Sequence, residues 1–193
     1  MEAIDTITTL IHSRRTVLPK RLIAPGPVGE QLDQILEAAA AAPDHRELRP
    51  WRFVVIPQGA RSRLGEAFAA ALRERDPLAT AEQVEQAREK AFRAPLLLLA
   101  VVRTEDDDAQ IPPMERVVSA GCAIQNMLLM ATALGFGSAL TSGKAMESRA
   151  IRELFSLQAG EHALCFLSIG SVSSVRPPRA RPCARDYVTE LRP

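Results

Sequence analysis

Apolar residues recur every three or four positions along residues 114–134, a pattern that predicts one long helix ending at Gly135. The opposite side of this helix is apolar as well, and such a helix has to be covered on several sides. Ser119, Gln125 and Asn126 interrupt the apolar run, which argues against a bilayer span of roughly 20 mostly apolar residues. We therefore predict that this helix forms the core of an obligate homodimer.

The same pattern predicts an α+β protein in which helices and strands alternate without regular βαβ spacing. The predicted helices lie at residues 4–13, between Pro27 and Pro43, between Gly59 and Asp76, at 80–93 and after Ser148, and the predicted strands lie at 51–56, 96–102, 138–140 and 163–169. Gly170 is expected to stop the last strand. With no internal repeat, we expect one domain over residues 1–193, built as a mixed sheet flanked by helices.

Composition narrows the classes of function. A formal net charge of +1 predicts no nucleic-acid or anionic-membrane partner for the surface as a whole. The first residues, MEAIDTITTL, carry acids and no basic segment, so we expect no signal peptide and a cytoplasmic protein. The cysteines Cys122, Cys165 and Cys183 lack metal-ligand spacing and are predicted to be buried thiols in a reducing compartment. The histidines are far apart, so no metal site is expected.

The first candidate for chemistry is Arg14-Arg15-Thr16, which follows the first helix. The planar fork of an arginine suits a phosphate, and a threonine hydroxyl adds a donor. Two arginines at a helix C-terminus can equally serve only to complement the helix dipole. Taken alone, the two arginines favour the second interpretation.

Two loops are further candidates. The segment PDHRELRPW at residues 43–51 places His45 and the single tryptophan, Trp51, in an irregular connection between a helix and a strand, where function is common. The alternative is that Trp51 simply packs and His45 is solvated. The second loop region, GFGS and TSGK at residues 135–138 and 141–144, is rich in small residues that would let a planar ligand approach the backbone. It has no phosphate-loop spacing, and an ordinary helix stop and turn explain it as well.

Taken in order, these features resemble a known family. The chain has a helix, then Arg14-Arg15-Thr16, then PDHRELRPW, an apolar strand, a long helix containing SAGCAIQNMLL that closes on GFG, and an arginine-rich tail. This order resembles the nitroreductase family of FMN-dependent oxidoreductases, in particular its compact single-domain members. The resemblance implies a nitroreductase-like fold whose long central helices form a dimer interface that holds two FMN molecules.

The resemblance also implies which residues bind FMN. Arg14, Arg15 and Thr16 would hold the phosphate and ribityl end, with Arg179 or Arg181 as a second phosphate contact. Ala41 and His45 of the partner subunit would lie near the flavin, with Leu48 and Trp51 behind them. Leu140, Thr141 and Ser142 would line the ring.

The implied activity is hydride transfer from NAD(P)H through FMN to a small-molecule acceptor, with donor and acceptor binding in turn and no catalytic side chain. Leu18 stands where the family usually has a cation, leaving Lys20 or Arg21 for that role. Met114 and the Leu140-Thr141 pair replace aromatic and cationic residues of some relatives, which predicts a roomier pocket for nitroaromatics or quinones. The alternatives are a non-catalytic flavin-binding dimer and a family member that fragments flavin or dehalogenates its substrate.

Overall fold

The computed structural model describes residues 2–105, 110–174 and 180–191. Its helices are α1 (Ala3–Ser13), α2 (Glu30–Glu37), α3 (Arg61–Arg75), α4 (Ala81–Glu89), α5 (Pro113–Ala133) and α6 (Arg149–Leu154). Its strands are β1 (Leu22–Ile23), β2 (Trp51–Val55), β3 (Leu96–Arg103), β4 (Gly137–Thr141) and β5 (Glu161–Val172). The acidic run at residues 106–108 and the candidate residue Arg179 lie outside the described residues.

The five strands form one sheet in which β5 pairs with three others. β5 pairs antiparallel with β3, with β4 and, through its last two residues, with β1, while β2 pairs antiparallel with β3. The parallel component in the described chain is an isolated bridge between Thr16 and Ser138. The predicted α+β fold with a sheet flanked by helices is confirmed.

The burial of β3 on both faces of the sheet explains why its sequence is a continuous apolar run. Leu96, Leu98 and Ala100 face a core shared with α2 and α5, whereas Leu97 and Leu99 face a second core shared with α3 and α6. Side chains of a strand alternate between faces, so a strand covered on both sides is apolar at every position. The sheet is therefore the middle layer between two helical layers.

The helix α5 lies one residue from its predicted bounds and covers the first core along its length. Gly135 follows it with a positive φ of 83°, as expected for a helix stop. Another part of α5 faces outward, because Met114 and Val118 are 71% and 58% exposed. Within the described residues, no helix is long and apolar enough to cross a membrane.

Some expectations are corrected. The last strand does not stop at Gly170 but continues to Val172, because Gly170 itself pairs with Gly137 and the two residues after it pair with β1. The strand β1 was not predicted, since two residues are too short to show a pattern. Of the cysteines, Cys165 is buried as predicted, whereas Cys183 is exposed because it lies in the irregular tail.

Candidate functional site

A cleft opens where α1 ends. It has a volume of about 640 Å³ and is lined by residues from the segment after α1, the C-terminal end of α5, the start of β4 and the tail. Its polar lining includes Arg14, Arg15, Thr16, Arg21 and Arg181. The sequence candidates Arg14, Arg15, Thr16 and Arg181 are thus brought together in one place.

Main-chain pairing holds one wall of this cleft. The backbone N–H of Val17 donates to the carbonyl oxygen of Ser138 at 2.9 Å, and Thr16 forms a parallel bridge with Ser138. These contacts fix the segment after α1 against β4. Thr16 is therefore two strand positions from Leu140, the first of the residues expected to line a ring.

Among the described residues, the arginines of the cleft form no ion pair with a carboxylate. Burial lowers the pKa of Arg14, and repulsion from Arg181 and Arg15 lowers it further. Arg181 donates from Nη2 to the backbone oxygen of Arg14 at 2.8 Å, which places two guanidinium groups close to each other. No carboxylate of the described residues forms an ion pair with Arg14, Arg15 or Arg181. Such a concentration of positive charge without a counter-ion is suited to binding an anion.

Arg15 has a structural role as well. It donates to the backbone oxygens of His12 and, at 3.1 Å, of Arg14, which are carbonyls at the end of α1. A cation near the last carbonyls of a helix also interacts favourably with the helix dipole. The alternative interpretation of the two arginines therefore applies to Arg15, while Arg14 is half-buried in the cleft.

The second group of candidates lies in the segment between α2 and β2. Ala41 is exposed at the end of a 3₁₀ turn, and His45 Nδ1 lies 2.7 Å from Oε1 of Glu115. Trp51 donates from Nε1 to the hydroxyl of Ser119 at 3.0 Å. The segment is thus attached to the N-terminal half of α5.

These two groups lie at opposite ends of α5. Glu115, the partner of His45, and Thr132, which lines the arginine cleft, are 17 positions apart on this helix. At 1.5 Å per residue, their separation along the axis is about 26 Å. Within one chain, the structure therefore does not bring His45 to the arginine cleft.

The third group of candidates lies at the C-terminal end of β4 and in the loop after it. Leu140 and Thr141 end the strand, and both are exposed, as is Ser142 in the loop after it. Leu140 lies on the face of the sheet that packs against α5, since its partner Leu167 belongs to that core. None of the three lines the arginine cleft, and Ser142 instead lines a second cavity together with Ala71 and Glu74 of α3.

Sequence reasoning missed several features of the site. Glu115 could not be recognised as the partner of His45, because the two are 70 residues apart. Of the cations that could substitute for Leu18, Arg21 lines the cleft, although Leu18 lines it too. No group of His, Cys, Asp or Glu in the described ranges is placed to hold a metal ion.

Comparison with known proteins places the chain among relatives along nearly its whole length. A family model described as Nitroreductase family matches residues 11–171. The candidate NAD(P)H nitroreductase YdjA of Escherichia coli K12 is 37% identical over 169 residues, which are 86% of this chain and 88% of that protein. A candidate NAD(P)H nitroreductase of Haemophilus influenzae is 34% identical over 184 residues, 95% of this chain and 98% of its own.

Solved structures show the same fold. A nitroreductase-like family protein from Bacillus cereus superimposes with a TM-score of 0.83 at 20% identity, covering 99% of this chain and 98% of its own. The FMN-dependent nitroreductase NfnB of Mycobacterium smegmatis, solved in complex with NADPH, gives a TM-score of 0.73 at 19% identity, covering 99% and 100%. At these identities the likeness concerns the fold.

Proposed function

The chain belongs to the nitroreductase family, and on this premise we propose that it is an FMN-dependent NAD(P)H oxidoreductase that acts as a homodimer. The proposed acceptors are quinones or nitroaromatic compounds, with donor and acceptor binding in turn. The whole of residues 1–193 is proposed to form a single FMN-binding domain.

The arginine cleft is the observation that carries this proposal. Arg14 and Arg181 lie together without an acidic partner among the described residues, and the Thr16 hydroxyl lies in the same cleft. This donor set fits a phosphate monoester, which accepts several charge-assisted hydrogen bonds from guanidinium groups. We assign the phosphate and ribityl end of FMN to these residues and to Arg15, with Arg179 as an alternative second phosphate contact.

The exposed end of β4 is assigned to the flavin ring. Leu140, Thr141 and Ser142 are exposed at the end of β4 and can offer apolar contact and backbone N–H groups. The opposite wall would come from Ala41 and His45 of the partner subunit. The bound FMN supplies hydride transfer, while the protein binds the ring, orients it and controls what reaches it.

The distance between the two ends of α5 supports the dimer. One chain cannot supply both the arginine cleft and His45 to the same ligand, because they are separated by about 26 Å along the helix. Two α5 helices packed antiparallel about a two-fold axis would place the N-terminal end of one beside the C-terminal end of the other. Such a self-complementary contact is the usual arrangement of a symmetric dimer.

The surface around α5 is suited to this contact. The outward residues Met114, Val118 and Gly121 form a stripe, and the apolar residues Ile4 and Ile7 of α1 are also exposed. A Cβ added at Gly121 would have no neighbour within 4 Å, so nothing in the chain itself requires a glycine there. Since glycine in a helix interior is unfavourable, we infer that it allows a partner helix to approach closely.

The decisive experiment follows the flavin directly. Purified protein is saturated with FMN, freed of excess ligand and mixed with NADH or NADPH without oxygen, while the flavin absorbance is recorded. Retention of FMN, followed by loss of the oxidised-flavin band and its return on adding a quinone, is the expected result. Protein that retains no FMN would contradict the proposal, and protein that retains FMN but is not reduced would be a flavin binder without this activity.

A further inference from the structure

We propose that His45 delivers the proton that completes acceptor reduction, and that Glu115 is its positioning residue. This inference rests on the proposed oxidoreductase function and adds a role for protein side chains to it. It is carried by the geometry of the His45–Glu115 pair and by the strained loop that holds it.

The contact fixes the state of the imidazole. His45 Nδ1 lies 2.7 Å from Glu115 Oε1. An ionised carboxylate can only accept, so Nδ1 carries the hydrogen of this bond and Nε2 is the nitrogen left for a ligand. A carboxylate that orients a histidine in this way leaves the second nitrogen able to donate or accept a proton. The side chains of both residues are just under half exposed, so a ligand can reach them.

The loop around His45 is held in an unfavourable conformation. Arg46, Glu47 and Arg49 have positive φ values of 56°, 56° and 47°, which residues other than glycine seldom adopt. Such strain persists only where surrounding contacts enforce it, and it is concentrated at functional sites.

Three hydrogen bonds hold the loop around His45 in this conformation. The carboxylate of Asp44 accepts from the backbone N–H of Arg49 at 2.6 Å, which closes the loop on itself. Arg46 donates to the side-chain oxygen of Gln110 at 2.8 Å, and Trp51 donates to Ser119 at 3.0 Å, which fix the loop against the region of α5. His45 is therefore presented from a rigid segment, as proton transfer over a hydrogen-bond distance requires.

A purely structural role for the His45–Glu115 pair does not account for the strained loop. An ion pair between two exposed side chains contributes little to stability, so it does not compensate for three strained residues. The pair also lies at the end of α5 that an antiparallel partner helix would bring to the arginine cleft. The geometry therefore points to a role toward the ligand of the partner subunit.

For a quinone acceptor, the hydride, the electron pair and the proton of the step are all accounted for. Bound reduced FMN would supply a hydride to one carbonyl oxygen of the quinone, and the electron pair would move through the quinone ring onto the other carbonyl oxygen. That second oxygen would take the proton from Nε2 of protonated His45, which gives a hydroquinone and a neutral histidine. Solvent then protonates the histidine again. The quinone is the oxidant and the flavin the reductant.

The test uses FMN-saturated protein that has been reduced without oxygen by whichever nicotinamide is active. The reduced protein is mixed rapidly with a benzoquinone, and the rate of quinone reduction is measured. His45→Gln keeps a polar amide at this position but cannot deliver a proton at Nε2. We expect it to slow quinone reduction about 100-fold, the lower end of what a positioned general acid contributes. In His45→Ala, added imidazole should restore the rate in proportion to its concentration. His162→Gln, at an exposed position on β5, is the matched control and should react like the wild-type protein.

A readout independent of activity accompanies this test. Diethylpyrocarbonate modification is mapped on histidines before and after FMN is added, and we expect FMN to protect His45 and not His162. Quinone reduction at the wild-type rate in His45→Gln, or no rescue of His45→Ala by imidazole, would overturn the roles of His45 and Glu115 and leave the proposed function standing. Failure of the wild-type protein to retain FMN would overturn the proposed function together with the roles of His45 and Glu115.

Discussion

The Nη2 atom of Arg181 lies 2.8 Å from the backbone oxygen of Arg14, a contact between residues 167 positions apart. It attaches the tail to the end of α1 and adds another cation to a cleft that already holds Arg14, Arg15 and Arg21. Burial lowers the pKa of Arg14 and repulsion from Arg181 and Arg15 lowers it further, so a bound phosphate would relieve an unfavourable interaction as well as form new ones.

Arg14→Ala is predicted to weaken FMN binding. Loss of a hydrogen bond to a charged group costs about 1.5–3 kcal/mol, which is a decrease in affinity of roughly 10- to 150-fold. Titration of the protein with FMN, followed by quenching of flavin fluorescence, measures the change.

The matched control for this variant is Arg63→Ala, which removes an exposed arginine on α3 and should leave FMN affinity unchanged. If Arg14→Ala binds FMN as tightly as the wild-type protein does, Arg14 is not part of the phosphate site.

Gly121→Leu is predicted to separate the dimer without damaging the monomer. The Cβ of a leucine there meets nothing within 4 Å in the chain itself, and leucine is a better helix former than glycine by up to about 1 kcal/mol. It would, however, push apart two helices that cross at this residue. Sedimentation velocity should show monomers, and FMN affinity should fall with the loss of the partner wall.

Glu89→Leu serves as the control, because it adds the same side chain to an exposed position on α4. A Gly121→Leu protein that sediments as a dimer and binds FMN normally would show that α5 does not cross its partner at this residue.

Glu161 is predicted to make stability dependent on pH under acidic conditions. Hydrogen bonds from Arg52 at 2.8 and 2.9 Å lower the pKa of Glu161 from 4.5 to about 2, assisted by the backbone N–H of Gln158. The unfolded chain therefore binds a proton more readily than the folded one, so the stabilisation is complete above pH 4.5 and is lost as the pH falls towards 2. The linked free energy is at most about 3 kcal/mol, because Arg52 is 41% exposed and partly screened.

Urea unfolding at a series of pH values tests this. The difference in unfolding free energy between the wild-type protein and Glu161→Gln should be greatest near neutral pH and should shrink between pH 4.5 and about 2. Glu153→Gln, whose ion pair with Arg149 is exposed on both sides, should show almost no such change. A constant difference for Glu161→Gln across this range would contradict the prediction.

The cysteines are predicted to react with a thiol reagent in a fixed order. Cys183 is exposed and should react first, whereas burial raises the pKa of Cys165 to about 11 and leaves it inert until the protein unfolds. Since Arg181 and Pro182 line the cleft, FMN should slow the labelling of Cys183. Mass spectrometry of labelled peptides gives both rates, and equal rates for Cys183 and Cys165 in the folded protein would contradict the assignment.

Local patterns were enough to predict most of the fold. The apolar periodicity of α5 extends over its whole length, and α4 begins with a capping box in which Thr80 and Gln83 are bonded in both directions. Such features depend on residues within one or two turns of each other. The family resemblance, which rests on the order of several motifs, is confirmed by the family model.

Contacts between distant parts of the chain could not be predicted in this way. The Arg181–Arg14 and His45–Glu115 contacts join segments that are close only because the sheet and α5 bring them together. The extension of β5 beyond Gly170 has the same origin, since Ser171 and Val172 pair with the distant strand β1. A glycine that ends a strand and one that permits a close crossing look identical in sequence.

The length of α5 has a consequence for mixed dimers. Because its two ends would serve different ligands, each FMN site would combine the arginines of one chain with the histidine of the other. A hybrid of one chain lacking Arg14 and one lacking His45 would then contain one doubly defective site and one fully native site. Co-expression of two individually impaired chains would therefore restore activity through complementation between subunits.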